Sequence, residues 1–195
     1  MYNPDESIEF PAKAAAEHRY DDFSILLHWV TVVLVASLWT LGQSLSFFPK
    51  GGPREAALSV HILLGITLGA ILLVRIAWRA GAGRRLPPAD SGWQGELARS
   101  VHYGLYVLLG VTVALGLSRV WLYGNHVFDW FAFPRPAFST RSVIRTIGGL
   151  HADLADLVVI VAGLHAAAAL AHHYVLRDSV LRRMLPGKRK TRPEQ

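Results

Sequence analysis

The chain has 195 residues, of which 52% are hydrophobic and 17% are charged, and its formal net charge is +6 at pH 7. A chain of this length usually forms one domain. Its balance of hydrophobic and charged residues is unusual for a soluble protein and typical of a membrane protein. Cysteine is absent, which excludes disulfides, thiolate clusters and covalently attached c-type haem. The basic residues form blocks between apolar runs, so we expect the lipid bilayer as a partner and no nucleic acid.

Four apolar stretches are each long enough to cross a hydrocarbon core about 30 Å thick. They cover residues 23–49, 56–74, 97–122 and 148–176. The connection 123–147 is rich in Phe, Trp and Pro, which is typical of an interfacial cap rather than a fifth span. The sequence therefore predicts an all-α membrane protein, with a four-helix transmembrane domain over residues 23–176.

Polar segments flank this domain at both ends. Residues 1–22 form an acidic arm, unlike the basic start of a secretory signal, so we expect the first span to be retained. Residues 177–195 form a basic tail. Counting the charged ends of the spans, fourteen lysines and arginines lie on the side of the arm, the second loop and the tail, against six on the side of the first and third loops. The positive-inside rule then predicts that both termini are cytoplasmic.

Three histidines, His151, His165 and His172, punctuate the last apolar stretch. The first two are fourteen residues apart, which on a helix is about 40° short of four turns and about 21 Å along the axis. Their rings therefore share a face near opposite sides of the bilayer, and His172 falls on the same face. Polar rings inside a membrane are costly and need partners.

The predicted topology gives each histidine a depth. His28 and His165 fall in the cytoplasmic half, while His61 and His151 fall in the outer half. A single histidine in a membrane more often forms a hydrogen bond between helices than binds a metal. Two pairs of neutral imidazoles without cysteine favour two six-coordinate haem irons over zinc, which prefers three or four ligands close together.

The C-terminal residues 163–174, GLHAAAALAHHY, continue into Arg177 and Asp178. This motif resembles the end of the prokaryotic cytochrome b561 family, particularly its superoxide oxidase members. Further matches to the family are residues 24–29, 47–49, His61, His102 and 130–133.

The resemblance implies a four-helix bundle in the bacterial inner membrane with two haems b. The cytoplasmic haem would be bound by His28 and His165, and the periplasmic haem by His61 and His151. It also implies that superoxide is oxidised to dioxygen at the outer face and that ubiquinone accepts the electrons near the inner haem.

Both ends of this path have candidate residues. His172 and His102 are candidates for the quinone site, because a histidine can hydrogen-bond a carbonyl and supply a proton near neutral pH. The alternative for both histidines is a bond to a haem propionate or a lipid headgroup. Five basic residues on the outer side are candidates for attracting an anionic substrate, or else are solvated loop charges: Lys50, Arg54, Arg135, Arg141 and Arg145.

The leading hypothesis is a superoxide:quinone oxidoreductase. One alternative is a cytochrome b subunit that takes electrons from a periplasmic dehydrogenase or hydrogenase. Another is a membrane scaffold or transporter component with structural histidines.

Overall fold

The structure, a computed structural model, describes residues 19–84, 86, 92–128 and 130–187. Most of the predicted arm and the end of the predicted tail, residues 1–18 and 188–195, lie outside this part of the chain. Four long helices follow one another: α1 Asp22–Ser44, α2 Gly52–Ala80, α3 Trp93–Tyr123 and α4 Arg141–Tyr174. All four are long and apolar enough to cross a membrane, which confirms the predicted spans.

Short elements complete the described chain. A 3-10 helix, Leu45–Phe47, extends α1, and a second one, Leu181–Met184, follows α4. Two strands, β1 His126–Val127 and β2 Phe131–Ala132, pair antiparallel between α3 and α4. This hairpin is a minor departure from the all-α prediction.

Helix α4 begins seven residues before the predicted stretch at Gly148. Its start is fixed by Thr140, whose side chain accepts a hydrogen bond from the Val143 amide at 3.3 Å. A threonine at this position satisfies one of the free amides of a first helical turn. The prediction placed the helix start too late because Gly148 and Gly149 are weak helix formers in sequence, yet both lie inside the helix.

The helices pack through a small apolar centre. Leu68 and Leu72 of α2, Leu109 of α3 and Val158 of α4 are buried together. A second cluster joins Ile62, Val120 and Val127, so that β1 covers the N-terminal part of α2 and the C-terminal end of α3. The aromatic connection therefore forms a cap on one end of the bundle.

The two ends of the described chain meet at the opposite end of the bundle. The Tyr20 amide donates to the Arg183 carbonyl at 3.2 Å, and the Trp29 indole donates to the Met184 carbonyl at 2.8 Å. This end, which we name the inner end, is predicted to face the cytoplasm. The capped end is named the outer end.

Asp21 fastens α1 to α2 at the inner end. Its carboxylate accepts bonds from the Ser24 amide and hydroxyl at 2.8 and 2.7 Å. It also accepts bonds from the Trp78 indole and the Arg84 amide, both at 3.1 Å. Burial raises the pKa of this carboxyl, but the hydrogen bonds outweigh burial and lower the pKa to about 2.

We expect the stabilising effect of Asp21 to disappear in acid. Because its folded-state pKa of about 2 lies below the ordinary value of 3.8, the stabilisation is complete above about pH 5 and is lost as the pH falls toward 2. Thermal unfolding of the wild type and of Asp21→Asn should therefore differ most near neutral pH and least in acid. Asp22→Asn, at an exposed side chain, is the control; an equal pH dependence in both variants would contradict the assignment.

Candidate functional site

Two histidines form the outer group. His61 of α2 and His151 of α4 lie with ring centroids 6.3 Å apart and planes at 83°. The His151 Nδ1 donates to the Thr112 carbonyl of α3 at 2.9 Å, which leaves Nε2 free to bind a metal. A backbone carbonyl on the second ring nitrogen is the usual way in which a metal-binding histidine is oriented. The His61 Nδ1 is buried and has no partner among the described residues.

Two glycines lie directly against these rings. A Cβ at Gly116 of α3 would come within 2.9 Å of the His151 Cε1, and one at Gly42 of α1 within 3.3 Å of the His61 Cε1. Side chains at these positions would push the rings away. The outer group is therefore held between all four helices, with space beside the rings that only glycine leaves open.

Arg119 places a positive charge near the outer group. It is half-buried on α3, three residues beyond Gly116, and it interacts electrostatically with both His61 and His151. In the sequence, Arg119 is only one of the six basic residues predicted on the outer side. Its spacing from Gly116, which puts both on one helix face, is the signal that would have singled it out.

Three histidines form the inner group. His102 of α3 and His165 of α4 lie with ring centroids 5.1 Å apart and planes at 70°. His28 of α1 interacts electrostatically with both of these histidines and with Arg75 of α2. The predicted partners His28 and His165 thus lie in one group, to which the structure adds His102.

His172 lies beyond the inner group, at the end of α4, and pairs with Asp178. Its Nδ1 is 2.5 Å from the Asp178 Oδ2, while the other carboxylate oxygen accepts from the Val180 amide at 2.9 Å. Burial raises the pKa of Asp178, but the bonds from His172 and Val180 and the charge of Arg183 lower it. His172 therefore has a carboxylate partner that the sequence pattern does not predict.

The chain turns sharply to make this pair. Arg177 has a φ of 57°, a left-handed conformation that non-glycine residues rarely adopt. The Asp178 amide then donates to the His172 carbonyl at 3.1 Å. Strain of this kind persists where the surrounding structure fixes it, and it is often found at functional sites.

The five basic residues predicted to attract a substrate are all exposed: Lys50, Arg54, Arg135, Arg141 and Arg145. Arg135 donates to the Ser139 carbonyl at 3.1 Å, within the connection between α3 and α4. Arg119 is half-buried in α3 and interacts electrostatically with the outer histidines, so we add it to this set as a sixth outer cation.

An acidic side chain within the membrane span links α1 to α4. Asp156 accepts hydrogen bonds from the Trp39 indole at 2.7 Å and from the Gln43 amide at 2.8 Å. We expect Asp156→Ala to lower the free energy of unfolding by about 1 to 3 kcal/mol, since each such interhelical bond is worth about 0.6 to 1.7 kcal/mol.

Unfolding of the purified protein in mixed detergent micelles measures this loss. Asp153→Ala is the matched control, because Asp153 is an exposed carboxylate one turn away on the same helix and has no described hydrogen bond. Equal stability of Asp156→Ala and the wild type would show that the two bonds contribute nothing.

The histidine groups fit haem better than a bare metal ion. Within the described residues, no three His, Asp or Glu side chains are arranged to hold a metal ion. Histidines from facing helices, an unpartnered buried Nδ1 and glycines against the rings would instead suit a flat cofactor such as haem.

A membrane bundle with histidine groups at its two ends has the architecture of a membrane-bound b-type cytochrome. The chain belongs to the prokaryotic cytochrome b561 family, whose model matches residues 19–187. It is therefore an integral inner-membrane protein of an electron-transfer family, and membership of this cytochrome b family implies haem b.

Individual relatives cover most of the chain. The chain is 29% identical to the probable superoxide oxidase CybB of Yersinia pestis over 180 residues, which is 88% of this chain and 98% of that protein. It is 31% identical to cytochrome b561 homolog 2 of Escherichia coli strain K12 over 176 residues, 86% and 91% of the two chains. It is 26% identical to cytochrome b562 of Cereibacter sphaeroides, over 87% and 96% of the two chains.

Proposed function

We propose that the protein oxidises superoxide to dioxygen at the periplasmic side of the inner membrane and reduces ubiquinone near the cytoplasmic side. The observation that carries this proposal is the grouping of histidine rings at both ends of one bundle, at 6.3 Å for His61 and His151 and 5.1 Å for His102 and His165. The similarity to a probable superoxide oxidase supports the choice of donor.

In this proposal His61 and His151 bind the outer haem, and His28 and His165 bind the inner haem. Their support is the pairing by depth, the free Nε2 of His151 and the unpartnered Nδ1 of His61. Two haems b would supply one-electron carriers at the two ends of the bundle.

Outer cations attract the anionic donor in this scheme. Superoxide carries one negative charge and gives up one electron to become dioxygen, so no residue has to abstract a proton. A positive field raises the local concentration of a small anion. Arg119 supplies it beside the histidines, and the exposed set Lys50, Arg54, Arg135, Arg141 and Arg145 extends it across the outer surface.

At the inner end, His172 hydrogen-bonds and protonates the quinone. Two superoxide radicals provide the two electrons that one quinone needs, and two protons come from the cytoplasmic side. The Asp178 carboxylate, 2.5 Å from the His172 Nδ1, orients the ring and leaves its Nε2 to face a ligand. We also propose His102 for this site, supported by its contact with His165 at the same end.

The test combines a haem assay with superoxide-driven reduction of the purified protein. We expect about two haems b per chain, and rapid haem reduction by superoxide followed by quinol formation. Absence of haem would overturn the redox proposal as a whole.

A second outcome separates the alternative donor. If the protein binds haem but superoxide fails to reduce it, the protein is better explained as an electron-transfer subunit for a periplasmic dehydrogenase or hydrogenase. Quinol formation with an artificial electron donor would then show that the inner half of the proposal holds by itself.

A further inference from the structure

Arg75 occupies the position on α2 that His165 occupies on α4. It lies fourteen residues after His61, as His165 lies fourteen residues after His151. On both helices this step is about 40° short of four turns and about 21 Å along the axis. The step therefore puts Arg75 on the same face of α2 as His61. Because α2 and α4 run in the same direction through the bundle, Arg75 also lies at the depth of the inner histidine group.

The charge of Arg75 is unmatched in the part of the chain that the structure describes. Its side chain is half-buried, and the described ion pairs place no carboxylate within 4.0 Å of it. Its neighbours are Tyr106, which shares a side-chain hydrogen bond with it and whose ring centroid is 5.4 Å from the Arg75 Cζ, and Arg79, which carries the same charge. A cation within a span is costly unless it finds an opposite charge, and it marks a functional site.

The neighbouring histidines indicate what the opposite charge is. Arg75 interacts electrostatically with His28, the proposed ligand of the inner haem, and with His102. A b-type haem carries two propionate carboxylates, and a guanidinium pairs with a carboxylate through two parallel hydrogen bonds.

We propose that Arg75 binds a propionate of the inner haem and that its positive charge raises the midpoint potential of that haem. The inference rests on the proposed function, since it needs an inner haem. A raised potential at the inner haem favours electron flow from the outer end of the bundle to the inner end. Arg75 is thus a positioning and potential-setting residue rather than an iron ligand.

Redox titration of the purified protein, followed by haem absorbance, tests the proposal. In Arg75→Gln the midpoint potential of the inner haem should fall, whereas that of the outer haem should stay unchanged. Arg75→Lys, which keeps the charge, should recover most of the shift. The inner haem is identified as the transition that is missing from His165→Ala. In infrared difference spectra, the band of a ¹³C-labelled propionate should shift in Arg75→Gln only.

Arg99→Gln is the matched control, because Arg99 is an exposed cation at the same end of the bundle that pairs with Glu96. Loss of the inner haem from Arg75→Gln but not from Arg75→Lys would also support a charged contact with the haem. An unchanged inner potential and propionate band in Arg75→Gln would overturn the inference. Absence of an inner haem from the wild type would instead overturn the proposed function.

Discussion

Replacing His165 with alanine is expected to remove the inner haem and to abolish superoxide-driven quinone reduction. His165 lies in the inner group, 5.1 Å from the His102 ring, and no other histidine of α4 faces that group at the same depth. The haem content should fall from about two to about one per chain, and the remaining haem should still be reduced by superoxide. Haem extraction and stopped-flow absorbance measure the two effects.

Other histidine variants test whether the effect is specific to the proposed haem ligands. His126→Ala is the control, since His126 is an exposed residue of the outer hairpin. His28→Ala and His102→Ala decide the second ligand: we expect His28→Ala to lose the inner haem and His102→Ala to retain it. Retention of two haems by His165→Ala would refute the ligand assignment, and the reverse behaviour of the other two variants would transfer the role to His102.

Replacing His172 with alanine should leave both haems bound but slow quinone reduction by roughly 100-fold or more, as expected for the loss of a general acid. Haem reduction by superoxide should be unchanged, because the outer group lies at the other end of the bundle. Stopped-flow traces separate the two steps, since the reduced haems should accumulate while quinol formation lags.

Two further variants distinguish proton delivery from a structural role. Asp178→Asn should lower kcat for quinone reduction more than it raises KM, and Asp178→Glu should restore part of the rate because it keeps the carboxylate. His173→Ala is the control, because His173 is the next residue and its ring packs on that of Tyr174, with the ring centroids 4.8 Å apart. Normal turnover with ubiquinone in His172→Ala would eliminate the proposed site.

The number of spans and the expected depth of each histidine could be predicted from the sequence. These follow from local patterns: apolar runs long enough for the bilayer, and a helical rise that converts the step from His151 to His165 into about 21 Å. The same arithmetic put His61 with His151, and the structure brings those two rings together at 6.3 Å. The orientation of the termini follows from loop charges and stays a prediction.

Which side chains meet across the helices could not be predicted without the folded structure. The contact of His102 with His165, the turn that returns Asp178 to His172, and the place of Arg119 beside the outer histidines depend on how each helix is rotated about its own axis. Helix rotation is set by packing contacts spread over the whole bundle, such as those of Leu72 and Val158. Those contacts cannot be predicted from a local sequence pattern. The sequence therefore predicts the depth of the histidines, whereas the fold determines which side chains surround them.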